Sequence, residues 1–156
     1  MDIKPIVVIT GVTGYLGAHT CLLFLKDGGY RVRGTVRDKD NATKIDPLKA
    51  AFGDFFNNLE LVNADLTNDN SIKAAIQGAN IVVHTASPFG IKDSTDEQDY
   101  IKPAVSGTIS VVKAAAAAGV KRVVITSSVV TLVDCGKEKP ANYTPEDWSI
   151  PENPSP

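Results

Sequence analysis

Residues 6–17 read Ile6-Val7-Val8-Ile9-Thr10-Gly11-Val12-Thr13-Gly14-Tyr15-Leu16-Gly17. The apolar run 6–9 predicts a strand buried on both faces, and glycines at 11, 14 and 17 punctuate the turn that leaves it. A glycine-rich turn between a strand and a helix brings backbone N–H groups against a pyrophosphate. In that arrangement Gly11 allows the tight turn, Gly14 lets the backbone approach the phosphates and Gly17 lets the helix pack on the strand. The stretch therefore points to a dinucleotide.

Working outward, strand and helix signals alternate. A helix is predicted over 15–26, stopped by Asp27-Gly28-Gly29. A strand follows over 30–36, then a weaker helix over 42–52 that contains Pro47. Residues 59–62 read as a strand, and 69–77 as a helix capped by Asp69 or Asn70 and closed by Gly78. The strand over 80–85 is built on Ile81-Val82-Val83. After a loop over 87–97, a long helix is predicted over 98–118, with Ile101, Val105, Ile109 and Val112 at helical spacing and Gly119 at its end. The last strand is 120–126. Such strand–helix–strand units with right-handed crossovers predict an α/β fold, a doubly wound parallel sheet of the Rossmann type.

The pattern stops after Val133. Residues 134–156 are polar and hold five of the nine prolines, so they read as irregular chain. The expected organisation is a dinucleotide-binding domain over 1–133 and a proline-rich segment over 134–156, with the fold truncated.

Bulk properties narrow the classes. A length of 156 residues suits one domain, and 43% hydrophobic with 22% charged residues suits a globular protein with a real core. The formal charge of −2 and the scattered basic residues argue against a nucleic-acid partner. Cys21 and Cys135 lack metal-ligand or disulfide-framework spacing, so no metal is expected and the compartment reads as reducing and cytoplasmic. The polar start, Met1-Asp2-Ile3-Lys4-Pro5, does not suit a signal peptide, and no apolar run reaches membrane-spanning length.

The end of the second strand should read the ribose of a dinucleotide. Here it offers Val36-Arg37-Asp38. An acid would hydrogen-bond a free 2′-hydroxyl, whereas the planar fork of an arginine suits a 2′-phosphate. Arg37 comes first, and Lys44 can close over the same group, which favours NADP(H) over NAD(H). Asp65-Leu66 follows the third strand; the acid either accepts from an adenine amino group, with Leu66 on the ring, or makes a turn. The small residues Thr85-Ala86-Ser87 leave room for a ligand at the carboxyl edge of the sheet.

Several motifs stand in order along the chain: Thr-Gly-x-x-Gly-Tyr-Leu-Gly (10–17), Thr-Val-Arg-Asp (35–38), Ala-Asp-Leu (64–66), His-Thr-Ala-Ser-Pro (84–88), Ile-Lys-Pro-Ala-Val-x-Gly-Thr (101–108) and Val-Val-Ile-Thr-Ser-Ser (123–128). Over 5–150 the chain resembles the extended short-chain dehydrogenase/reductases, and within them the branch of dihydroflavonol, anthocyanidin and cinnamoyl-CoA reductases. The resemblance implies an NADP-dependent reductase that moves hydride to a ketone, aldehyde or thioester carbonyl of a small molecule, as a monomer or homodimer. It implies that Gly11, Thr13, Gly14, Tyr15, Leu16 and Gly17 hold the pyrophosphate, that Arg37 and Lys44 hold the 2′-phosphate, and that Asp65 and Leu66 flank the adenine. Thr85, Ala86 and Ser87 would line the ribose and nicotinamide side, with Thr126 and Ser127 by the nicotinamide. Ser128 matches the catalytic serine, whose hydroxyl would hydrogen-bond the substrate oxygen.

The resemblance is incomplete in two places. The family donates a proton from a tyrosine whose pKa is lowered by a lysine four residues on. Four residues beyond Tyr15, Tyr30, Tyr100 and Tyr143 stand His19, Gly34, Ala104 and Asp147. The chain thus reads as the cofactor-binding part of a longer enzyme. Five positions after Ser128, where flavonoid reductases carry a polar residue, stands Val133, which weakens a dihydroflavonol substrate. Two alternatives are a dinucleotide sensor without catalysis, which the missing pair would suit, and a nucleotide-sugar epimerase or dehydratase, against which Arg37 counts.

Overall fold

The computed structural model describes residues 4–88, 98–132 and 142–149. The chain divides into two compact units, Met1–Ile125 and Thr126–Pro156. The first contains β1 (Ile6–Thr10), α1 (Tyr15–Asp27), β2 (Arg31–Val36), α2 (Ala42–Phe52), a 3₁₀ segment (Gly53–Asn58), β3 (Leu59–Asn63), α3 (Asp69–Ile76), β4 (Ile81–His84), α4 (Gln98–Ala117) and β5 (Arg122–Ile125). The five strands pair in parallel in the order β3-β2-β1-β4-β5. This is the doubly wound Rossmann-type sheet expected from the alternation.

β1 lies at the centre, and Val7, Val8 and Ile9 are wholly buried. Val7 and Ile9 join Cys21, Leu25, Ile45, Leu48 and Phe52 in the core under α1 and α2. Val8 joins Ile72, Ala75, Ile76, Val111, Ala114 and Ala115 under α3 and α4. Each fully buried valine, leucine or isoleucine among them stabilises the fold by about 1.5–3 kcal/mol. That two-sided burial is why this strand reads as a continuous apolar run. It also explains how α2 tolerates Pro47: Ile45, Leu48 and Phe52 are buried around it, so tertiary packing offsets one missing helical hydrogen bond.

One expectation is corrected. The cap of α3 is neither Asp69 nor Asn70 but Asn68, whose side chain accepts from the amides of Asn70 and Ser71. Asn68 has the extended backbone a cap needs, while Asp69 already lies inside the helix. The stripe Ile101, Val105, Ile109 and Val112 is exposed. α4 instead buries Gly107, Ser110, Val111, Ala114 and Ala115. Close approach selects small side chains here: a Cβ on Gly107 would lie 2.9 Å from the Cβ of Leu66.

In the second unit, residues Val129–Thr131 form a 3₁₀ turn behind Ser128, whose Oγ accepts from the Val130 amide. The Ser149 amide donates to the Thr131 carbonyl at 2.8 Å. Most of the loop over 87–97, together with Val133, Cys135 and most of the proline-rich segment, lies outside the described residues. No described helix is long and apolar enough to cross a membrane.

Cys21 is completely buried. Burial pushes its thiol pKa up to about 12, so the reactive thiolate is suppressed. Peptide mapping after maleimide treatment at about pH 8 is expected to find Cys21 unmodified in the native chain and labelled in the denatured one. Equal labelling in both states would contradict this packing.

Candidate functional site

In a doubly wound sheet the connections leaving two neighbouring central strands diverge to opposite faces, opening a crevice at the carboxyl edge. Here those strands are β1 and β4. A cavity of about 410 Å³ lies there, lined by the glycine turn, the ends of β2 and β3, and the chain leaving β4. Among the expected site residues, Gly11, Thr13, Gly14, Arg37, Asp65, Leu66, Thr85, Ala86 and Ser87 line it. Tyr15, Leu16 and Gly17 are the first residues of α1, directly behind the turn. Lys44 is exposed on α2 and does not line the cavity. Thr126, Ser127 and Ser128 follow β5 in the second unit and are exposed.

The glycines have separate reasons. Gly11 has φ +71°, a left-handed conformation, and a Cβ there would lie 2.9 Å from that of Ala86. Gly17 is more constrained still: its Cβ would collide with the carbonyl of Gly11 and approach Thr85 Oγ1 to 2.9 Å. Gly14 caps α1 without a side-chain hydrogen bond, and no acid stands in the first turn. The leading amides of α1 therefore keep the orphaned N–H groups and positive end of a helix terminus, which suit an anion.

The turn is held by residues not singled out from the sequence. The Thr35 carbonyl accepts from the amides of Gly11 and Val12, at 3.1 and 3.2 Å. Val12 is wholly buried and sits over Gly34, where a Cβ would meet it at 2.8 Å. Thr10 Oγ1 accepts from the amides of Thr85 and Ala86, and Thr85 Oγ1 donates to the Thr10 carbonyl at 2.5 Å. The available signal was a threonine closing an otherwise apolar strand, Thr10 after 6–9. A buried hydroxyl there needs partners, and the neighbouring loop supplies them.

Arg37 directly follows β2 and is exposed at the cavity. Asp65 faces the same cavity, but its Oδ1 accepts from Thr67 N at 2.8 Å and Thr67 Oγ1 at 2.7 Å. Of the two roles open to Asp65, the turn is thus present. Those hydrogen bonds, with a smaller contribution from Arg37, lower its pKa and keep it ionised. A second concavity, of about 430 Å³, lies at Lys4, Tyr30, Arg31 and Glu60, near the amino end of β2. The glycine that lines it, Gly28, closes the carboxyl end of α1, where the helix dipole disfavours an anion, so the carboxyl-edge cavity is the candidate. Among the described residues, no cluster of three or more His, Cys, Asp or Glu is arranged to hold a metal.

Residues 7–154 match the NAD dependent epimerase/dehydratase family. Dihydroflavonol 4-reductase of Hordeum vulgare is 38% identical over 147 residues, which cover 94% of this chain and 41% of that protein. An anthocyanidin reductase ((2S)-flavan-3-ol-forming) of Vitis vinifera is 39% identical over 132 residues, covering 83% of this chain and 38% of that one. The crystal structure of yeast methylglyoxal/isovaleraldehyde reductase Gre2 complexed with NADPH superposes with a TM-score of 0.77 at 30% identity, over 92% of this chain and 44% of that one. The chain spans about two-fifths of the length of these relatives.

Proposed function

The chain belongs to the NAD dependent epimerase/dehydratase family, and from that membership we propose that it is the cofactor-binding part of an NADP-dependent reductase acting on a small carbonyl compound. The observation that carries the reading is one cavity bounded both by the glycine turn at the uncapped end of α1 and by Arg37 at the end of β2. The amides of Tyr15, Leu16 and Gly17 would bind the pyrophosphate. Arg37 would pair with the 2′-phosphate through its planar fork, and Lys44 would reach the same group from α2. Leu66 would pack on the adenine, and Thr85, Ala86 and Ser87 would line the nicotinamide side. Thr13, in the turn, would stand beside the phosphates. Thr126 and Ser127 would approach the nicotinamide.

NADPH, when bound, supplies the hydride. Ser128 would donate a hydrogen bond to the substrate oxygen as negative charge develops there. No tyrosine here has a lysine four residues later, so no residue of this chain is assigned the proton-donor role. The proposal extends to a domain boundary at 133, a cytoplasmic setting and a monomer or homodimer.

Titration of NADPH fluorescence, run beside a hydride-transfer assay, tests this. Saturable binding with little or no turnover is expected from the 156-residue chain. Absence of binding would contradict the cofactor reading, and robust turnover would contradict the reading of this chain as the cofactor part alone. The missing pair also favours a second reading, a dinucleotide sensor, which predicts binding but no turnover even in a longer form of the protein.

A further inference from the structure

We propose that His84 is a positioning residue for the nucleotide-binding edge, its unprotonated Nδ1 taking the Thr10 hydroxyl proton so that Thr10 Oγ1 can hold the amides of Thr85 and Ala86. The inference rests on the reading of that edge as a nucleotide site, but its geometry stands by itself. A threonine hydroxyl has one proton and two lone pairs. The Thr85 amide donates to Thr10 Oγ1 at 3.1 Å and the Ala86 amide at 3.0 Å. Both lone pairs are then in use, so the proton must go to the remaining partner, His84 Nδ1, at 2.8 Å. His84 is thereby the tautomer protonated on Nε2, which faces Thr108 Oγ1 at 3.4 Å.

This one nitrogen governs the wall of the cavity. Thr10 and Thr85 are joined in both directions, because Thr85 Oγ1 donates back to the Thr10 carbonyl. Together the bonds draw the chain leaving β4 against the turn, Ala86 onto Gly11 and Thr85 onto Gly17. An imidazolium would direct a second N–H at an oxygen with no lone pair left. One of the two amides would have to let go.

His84 is 3% exposed, and burial lowers its pKa. Among the described residues, no charged neighbour contributes to that shift. Asp69 of α3 accepts from Ser110 Oγ at 2.6 Å. Asp99, Lys102 and Lys113 of α4 are exposed, and Arg122 pairs with the opposite end of β4 from His84. Neutral His84 is therefore the form present near pH 7, and the bond to Thr10 is lost as pH falls through the lowered pKa.

The test has two independent readouts. Long-range ¹⁵N NMR of the ligand-free chain, with His84 assigned by its loss in H84N, is expected to show Nδ1 unprotonated near pH 7; a protonated Nδ1 overturns the proposal. NADP⁺ affinity is then compared between wild type and H84N, whose Oδ1 can accept the same proton but does not titrate. Protonation of a 2′-phosphate weakens both alike, so the readout is their ratio. It is expected near one at about pH 8 and to favour H84N about tenfold once the pH is well below the His84 titration midpoint read in the same NMR series, one buried hydrogen bond being lost only in the wild type. A ratio that stays constant as the pH crosses that midpoint overturns the proposal. T10V should bind about tenfold more weakly than wild type at about pH 8. If wild type binds no NADP⁺ at any pH, the nucleotide reading fails alone; the Nδ1 signal and the acid shift of the Thr85 and Ala86 amides still decide the role of His84.

Discussion

Replacing Gly17 by alanine is expected to abolish nucleotide binding and to lower the melting temperature by roughly 2–12 °C. The added Cβ would collide with the Gly11 carbonyl, which is backbone of the turn itself, and would crowd Thr85 Oγ1. Overpacking commonly costs about 1–3 kcal/mol. In a chain of this size each kcal/mol moves the midpoint by about 2–4 °C. Relief requires α1 to move away from β1, taking the leading amides with it, so binding suffers beyond the loss in stability. Gly14 offers the internal comparison. Its φ is −84°, and a Cβ would meet only the Gly11 oxygen, at 3.3 Å. Gly14→Ala should therefore unfold close to the wild-type temperature. Thermal melts followed by circular dichroism read both variants, and a Gly17→Ala chain that melts and binds like wild type would refute the packing described for the turn.

Arg37→Ala is expected to weaken NADPH by about 10–100-fold while changing NADH by less than about threefold. A charge-assisted hydrogen bond contributes about 1.5–3 kcal/mol, and 1.4 kcal/mol is about tenfold in affinity. Only NADPH carries the phosphate that this cation would meet. The side chain is exposed, so stability should change little. Parallel fluorescence titrations give the discrimination ratio. Equal weakening of both nucleotides would show that Arg37 does not read the 2′ position.

The part of the fold visible in the sequence was the part with a one-dimensional signature. Residues 6–9 are apolar because both faces of β1 are buried, and three glycines mark where backbone meets backbone. Arg37 was legible because a strand end is a fixed place. Thr10, Thr35 and His84 were not, because each acts through a partner distant in sequence: Thr10 meets His84 across 74 residues. Which face of α4 packs inward is likewise not legible in the sequence. Its aliphatic stripe has helical spacing, yet the face that packs is Gly107, Ser110, Val111, Ala114 and Ala115, and at Gly107 the Leu66 side chain comes too close for a Cβ. Asn68 was passed over as a cap because Asp69 and Asn70 beside it are equally good cap residues.

The claim on which everything else depends is that the carboxyl-edge cavity holds NADP(H). Titration of the ¹⁵N-labelled chain with NADP⁺, following backbone amides, tests it most directly. The largest shifts are predicted at Gly14–Gly17, Arg37, Leu66 and Thr85–Ser87, with weaker changes near Arg37 when NAD⁺ replaces NADP⁺. Shifts confined to Lys4, Tyr30 and Glu60 in the concavity at the amino end of β2, or no shifts at saturating nucleotide, would contradict it.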